Sequence, residues 1–152
     1  MRKGLCFLIF SLFFVLKAGF VFAQSNELID RLLDEKIALF GETVYISLAA
    51  AGLIQETASI EESITFLEAQ NWGIVKSKDD PISLGEYSYL LMKIFDLKGG
   101  LMYSISPGPR YACREFEYLG FIKLKPTPYR NISGEEVLQI LGKLLAWLGE
   151  HK

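Results

Sequence analysis

The sequence predicts an all-helical fold: tandem helical hairpins, two clear copies and one degenerate, packed into a single small domain. Three observations carry that reading. No stretch keeps the two-residue alternation of a half-buried strand, whereas apolar residues recur at helical spacing. A pair of helix-ending and helix-starting signals repeats along the chain. The length, 152 residues, suits one domain.

Residues 1–23 read as an address. Arg2 and Lys3 open it, an apolar run follows from Leu5 to Leu16, and Val21-Phe22-Ala23 offers small residues for a cut before Gln24. Lys17 interrupts the apolar run before it reaches the roughly 18 residues of a membrane-spanning helix. The expectation is a signal peptide on an exported protein, periplasmic or cell-envelope associated, with no stable membrane span after cleavage. Cys6 leaves with the leader, so Cys113 is the single cysteine of residues 24–152 and has no intrachain partner. It reads as a buried, inert thiol.

Residues 24–152 form the predicted helical repeat domain. Asn26–Phe40 reads as a first helix ended by Gly41, and Thr43–Ala51 as a second. From there a helix ends three times in glycine followed by two apolar residues, and Ser-x-x-Glu comes after a gap. The copies are Gly52-Leu53-Ile54 with Ser59 and Glu62, Gly73-Ile74-Val75 with Ser83 and Glu86, and Gly120-Phe121-Ile122 with Ser133 and Glu136. Glycine accepts the left-handed conformation at a helix end, and the apolar residue beyond packs back on the last turn. Ser-x-x-Glu is a capping box, in which serine and glutamate satisfy each other's free amides.

After the second and third boxes the apolar positions match one for one. Tyr87, Leu90, Leu91, Ile94 and Phe95 correspond to Val137, Ile140, Leu141, Leu144 and Leu145. The repeat-like units run over about 43–70, 64–97 and 111–149. Such units cannot bury their apolar faces alone and must stack. Leu101–Ser106 is the one place that fits a short extended piece, and Gly99-Gly100 is expected to end the helix that starts at Ser83.

These positions resemble the S-layer homology module of exported bacterial envelope proteins. That resemblance implies paired helices and binding to an anionic wall polysaccharide through an arginine just after each cap. Here Ser83 and Glu86, and Ser133 and Glu136, match the ends of the family's motif. The arginine position holds Leu84, Gly134 and, in the degenerate copy, Ile60.

Composition narrows the chemistry. Beyond residue 23 the chain carries 13 basic and 18 acidic side chains, which gives no general pull on nucleic acid or anionic lipid. One histidine, His151, and two cysteines leave no hydrolytic triad and no metal cluster. No catalytic residue, metal or cofactor is predicted. One segment breaks local rules. Pro107-Gly108-Pro109 opens a helix whose first turn holds Arg110, with Arg114 one turn on. Both oppose the helix dipole and, at i, i+4, repel each other. Such conflicts mark candidate function. Arg110 and Arg114 are therefore the predicted anion ligands, with Tyr111 and Tyr118 as sugar-stacking faces. Arg130 joins them from the basic, proline-stiffened loop of residues 123–130.

The function expected is a non-catalytic, exported module that binds a cell-envelope component, an anionic wall glycan foremost. The alternative is a structural or assembly subunit of an envelope complex, using a tyrosine-rich surface of Tyr87, Tyr89, Tyr103 and Tyr111. A small hydrolase ranks third.

Overall fold

The computed structural model describes residues 27–123 and 127–151. The leader and cleavage site expected from the sequence lie outside the described residues. Among the described residues there are seven helices and no strand: α1 (27–34), α2 (Phe40–Ala50), α3 (Ile60–Ala69), α4 (Leu84–Ile94), α5 (Leu101–Ile105), α6 (Pro109–Tyr118) and α7 (Gly134–Glu150). None is long and apolar enough to cross a membrane.

Three chain segments meet in a closed ring of backbone hydrogen bonds. Ala38 N–H donates to the Ile132 carbonyl at 2.8 Å, Ile132 N–H to the Ile82 carbonyl at 3.4 Å, and Ile82 N–H to the Ala38 carbonyl at 3.1 Å. All three side chains are buried. A helix springs from each segment: α2, α4 and α7. Helix starts leave free amides that need acceptors. Here neighbouring loops supply them. Phe40 and Gly41 donate to the Asp80 and Lys78 carbonyls, Leu84 and Gly85 to those of Arg130 and Pro128, and Gly134 to that of Glu35. At the third helical position each start carries a glutamate, and each is ion-paired: Glu42 with Arg31 at 2.9 Å, Glu86 with Lys76 at 3.0 Å, and Glu136 with Arg130.

The core fills the space around this ring. It draws on residues from Leu32 to Leu144, with Phe40, Tyr87 and Phe116 among its largest fully buried side chains. Each such side chain contributes roughly 1.5–3 kcal/mol by leaving water. α4 lies against both α6 and α2, α2 also carries α3, and α7 touches α2. Tyr87 of α4 donates its hydroxyl to the Val137 carbonyl of α7 at 3.0 Å, so its buried polar end is satisfied.

The local signals hold in part. Gly52, Gly73 and Gly120 all adopt left-handed φ. Leu53 N–H returns to the Leu48 carbonyl and Phe121 N–H to that of Phe116, closing the helix ends as expected. Reciprocal capping boxes form at Ser59 and Ser83. At Ser133 only half a box forms, because the Glu136 carboxylate turns to Arg130 instead.

Four expectations fail. Gly41 does not end the first helix; α1 stops at residue 34 and Gly41 is the second residue of α2. A Cβ there would stand 2.8 Å from Ile60 Cγ2 and Lys78 Cβ, so the glycine serves close approach. The helix from Ser83 ends at Ile94, well before Gly99, because Asp96 takes the left-handed turn and Leu97 N–H bonds the Met92 carbonyl. Leu101–Ile105 is a short helix where an extended piece was expected. The tyrosine-rich surface does not exist: Tyr87, Tyr89 and Tyr103 are core residues, and Tyr111 is half-buried against them. The α2 start at Leu39, with no hydroxyl to cap it, joins the ring, whereas Ser59 stands outside it.

Candidate functional site

α4 builds the candidate site from below. Gly85, its second residue, lets two prolines close on the helix start. A Cβ there would lie 3.0 Å from Pro128 Cβ and 3.2 Å from Pro109 Cβ. The residues that follow those prolines, Tyr129 and Arg110, are thereby brought to one place. Together with Arg114, Pro128 and Cys113 they line an open cleft of about 280 Å³.

The cleft runs along the α6 face that carries Arg110, Cys113 and Arg114, beside the start of that helix. Gly108 is extended at the cap, no side chain caps the helix, Pro109 takes the first position, and no acid sits in the first turn. Among the described residues neither Arg110 nor Arg114 has a carboxylate within 4 Å. The cleft therefore gathers two guanidinium groups near a helix start that carries no acid of its own, an arrangement that favours an anion. Tyr129 is 79% exposed and lines the same cleft. Cys113 forms the floor. Burial pushes its thiol up to about 11, with the Arg130 charge pulling weakly the other way. It is a packing group with little thiolate at neutral pH.

The other predicted ligands lie elsewhere. Arg130 lines a separate, larger cleft of about 400 Å³ with Lys123, Glu136 and Lys143. The hydrogen bonds it donates to the Glu136 carboxylate hold its guanidinium above its usual pKa, burial opposing, and it also donates to the Asn131 carbonyl. Arg130 thus braces the start of α7. Tyr111 packs toward the core, and Tyr118, 87% exposed, sits at the far end of α6 away from the cleft. Tyr129, which lines the cleft, was not among the residues expected there. The signal for it was the repeated x-Pro-aromatic-or-basic step in the two loops that Gly85 receives.

The residues just after the three serine caps are apolar or glycine and differ in exposure. Leu84 is fully buried and Ile60 half-buried, and a Cβ on Gly134 would overlap the Leu32 carbonyl oxygen at 1.6 Å. Among the described residues no three His, Cys, Asp or Glu side chains gather around one point. Comparison with protein-family models, with curated proteins and with solved structures gives no match.

Proposed function

We propose that this is a non-catalytic, exported module of the cell envelope that holds an anionic group of a wall glycan in the cleft between Arg110, Arg114 and Tyr129. One observation carries the reading: two arginines one turn apart, at the positive end of a helix, have no carboxylate partner among the described residues. A folded chain tolerates that conflict at a cost that an external anion removes. Tyr129 supplies the flat apolar face on which a sugar ring stacks. The leader of residues 1–23 supports export. The ring of starts at Leu39, Ser83 and Ser133 supports a threefold repeat as the scaffold, in a register that includes Leu39 in place of Ser59.

The test is sedimentation with purified wall material across a salt series. Binding should weaken as salt rises. Arg110→Gln with Arg114→Gln should abolish it, and Tyr129→Ala should weaken it. Salt-independent binding, or binding that survives both arginine replacements, rejects the site.

A further inference from the structure

The cleft of about 400 Å³ follows α7 from its start. Glu135, Gln139 and Lys143 line it at successive turns of that helix, and Ile140 lies beside them. Phe121, Ile122 and Lys123, in the chain that leaves α6, complete it. Phe121, Ile122 and Ile140 are buried side chains, so the lining between the polar groups is apolar.

The charges of the cleft fall into two sets. Arg130 and Glu136 are spent on each other. Lys123, Lys143 and Glu135 are not, since among the described residues none of them has an oppositely charged group within 4 Å. Lys143 is half-buried, and its ammonium donates to the Phe121 carbonyl at 2.7 Å. An ammonium has three donors, so protons remain for a further acceptor. Glu135 accepts from the neutral Gln139 amide at 2.8 Å. The two ions do not serve each other. They stand eight residues apart on α7, about 12 Å along its axis, and Lys143 is held on the Phe121 carbonyl. One cleft thus presents an unmet negative charge near the start of α7 and an unmet positive charge two turns on.

Ser133 adds a main-chain donor at the acidic end. The Ser59 and Ser83 amides each bind the glutamate carboxylate of their own box, whereas the Ser133 amide lacks it because Glu136 turns to Arg130. Ser133 lines the same cleft. A ligand that answers these features carries a carboxylate at one end, an ammonium at the other, and a carbonyl near the ammonium. Extended backbone advances roughly 3.3–3.6 Å per residue, so about three residues span the two charges.

We infer that this cleft takes a short extended peptide with both termini free, its carboxylate on Lys143 and Lys123 and its ammonium on Glu135. Small apolar side chains of the peptide would meet Phe121, Ile122 and Ile140. The proposal goes beyond the glycan reading and does not rest on it, because Arg110, Arg114 and Tyr129 line the other cleft.

The test is calorimetric titration of the full chain with tri-alanine, with tri-alanine amidated at its C-terminus, and with tri-alanine acetylated at its N-terminus. Tri-alanine should bind at millimolar concentration, and each blocked peptide should bind about tenfold more weakly or worse, because each loses a charge-assisted contact. Glu135→Gln should bind the free and acetylated peptides equally while still discriminating against the amidated one. Lys143→Gln should show the reverse pattern. The blocked peptides leave the protein untouched, so they decide the matter even where Lys143→Gln loosens the Phe121 contact. Amide resonances of residues 121–123 and 133–143 should shift on titration, and Arg110→Gln with Arg114→Gln should leave the affinity unchanged. No binding of tri-alanine, equal binding of all three peptides, or shifts confined to other residues would each overturn the proposal. A loss on amidation with none on acetylation would also overturn it, since it would reveal a simple anion site. Peptide binding that persists while wall sedimentation fails would reject the glycan reading alone.

Discussion

Glu35 and Glu42 face each other across the bend between α1 and α2. The Oε2 atom of each is buried and has no hydrogen-bond donor. Arg31 engages the other oxygen of Glu42 at 2.9 Å, so Glu35 is left beside a carboxylate without a cation of its own. Burial raises the Glu35 pKa first, and the charge of Glu42 adds to it, against weaker pulls from the Leu39 amide and Arg31. A proton on Glu35 turns the contact into a carboxyl–carboxylate hydrogen bond.

This sets a pH dependence whose sign is fixed. The folded chain holds the Glu35 proton more tightly than the unfolded chain does. The stability contributed by this pair is therefore complete below the ordinary carboxylate pKa and is lost as pH rises through the raised folded value. Glu35→Gln keeps a donor toward Glu42 without the charge. The variant should match the parent in urea denaturation at about pH 4 and exceed it at about pH 7. A constant difference at both values would mean that Glu35 does not titrate in the folded state.

The caps differ in what a serine-to-alanine change removes. Ser83 accepts from the Glu86 amide and donates to the Glu86 carboxylate at 2.8 Å in a partly buried setting. Burial alone raises the Glu86 pKa, but the Ser83 amide and hydroxyl, with Lys76, bring it below its ordinary value. Ser83→Ala should destabilise by about 1 kcal/mol. Ser59 makes its two box contacts in the open, and Ser133 accepts only one bond while Arg130 holds Glu136. Both should cost less, about 0.5 kcal/mol. Equilibrium denaturation of the three variants checks the order, and equal losses would contradict it.

What the sequence made legible was local. The turns at Gly52 and Gly120 and the boxes at Ser59 and Ser83 follow from residues a few positions apart, and they could be read directly. Arg110 and Arg114 stood out because they violate a helix-dipole rule within one turn. The ring at Ala38, Ile82 and Ile132 has no side-chain signature, since its bonds are between backbone atoms far apart in the chain. Gly41, Gly85 and Gly134 look like helix breakers in sequence, yet they sit inside first turns where another segment presses on the backbone. For the same reason Tyr129 could be placed near the arginines only once Gly85 was seen to receive both prolines. The tyrosines of α4 misled because their spacing fits a surface and a core face equally well.

Arg110 and Arg114 also make a prediction for the ligand-free protein. Like charges one turn apart at a helix N-terminus cost about 0.5–1 kcal/mol together. With no internal carboxylate partner within 4 Å among the described residues, replacing both by glutamine should leave stability unchanged or raise it by up to about that amount. Thermal denaturation without any wall material reads this directly. A loss of about 2 kcal/mol would expose an internal acid that the arginines neutralise, and would remove the motive for an external anion.

Two glycines of α7 should respond in opposite ways to alanine. Gly134 is the first residue of the helix, and its amide donates to the Glu35 carbonyl at 3.0 Å. A Cβ there would overlap the Leu32 carbonyl oxygen at 1.6 Å, and backbone cannot rotate aside as a flexible side chain can. Gly134→Ala must push α7 off the end of α1 and open the ring at Ile132, so it should destabilise by about 3 kcal/mol. Gly142 lies in the middle of the same helix, exposed, with nothing within 4 Å of its added Cβ. There alanine meets no obstacle and removes backbone freedom from the unfolded chain, so Gly142→Ala should stabilise by about 0.5–1 kcal/mol. Both variants have the same composition, so urea denaturation of the two against the parent isolates position. A Gly134→Ala protein as stable as the parent would mean that α7 does not meet α1 at Leu32, and the ring of three helix starts would have to be redrawn.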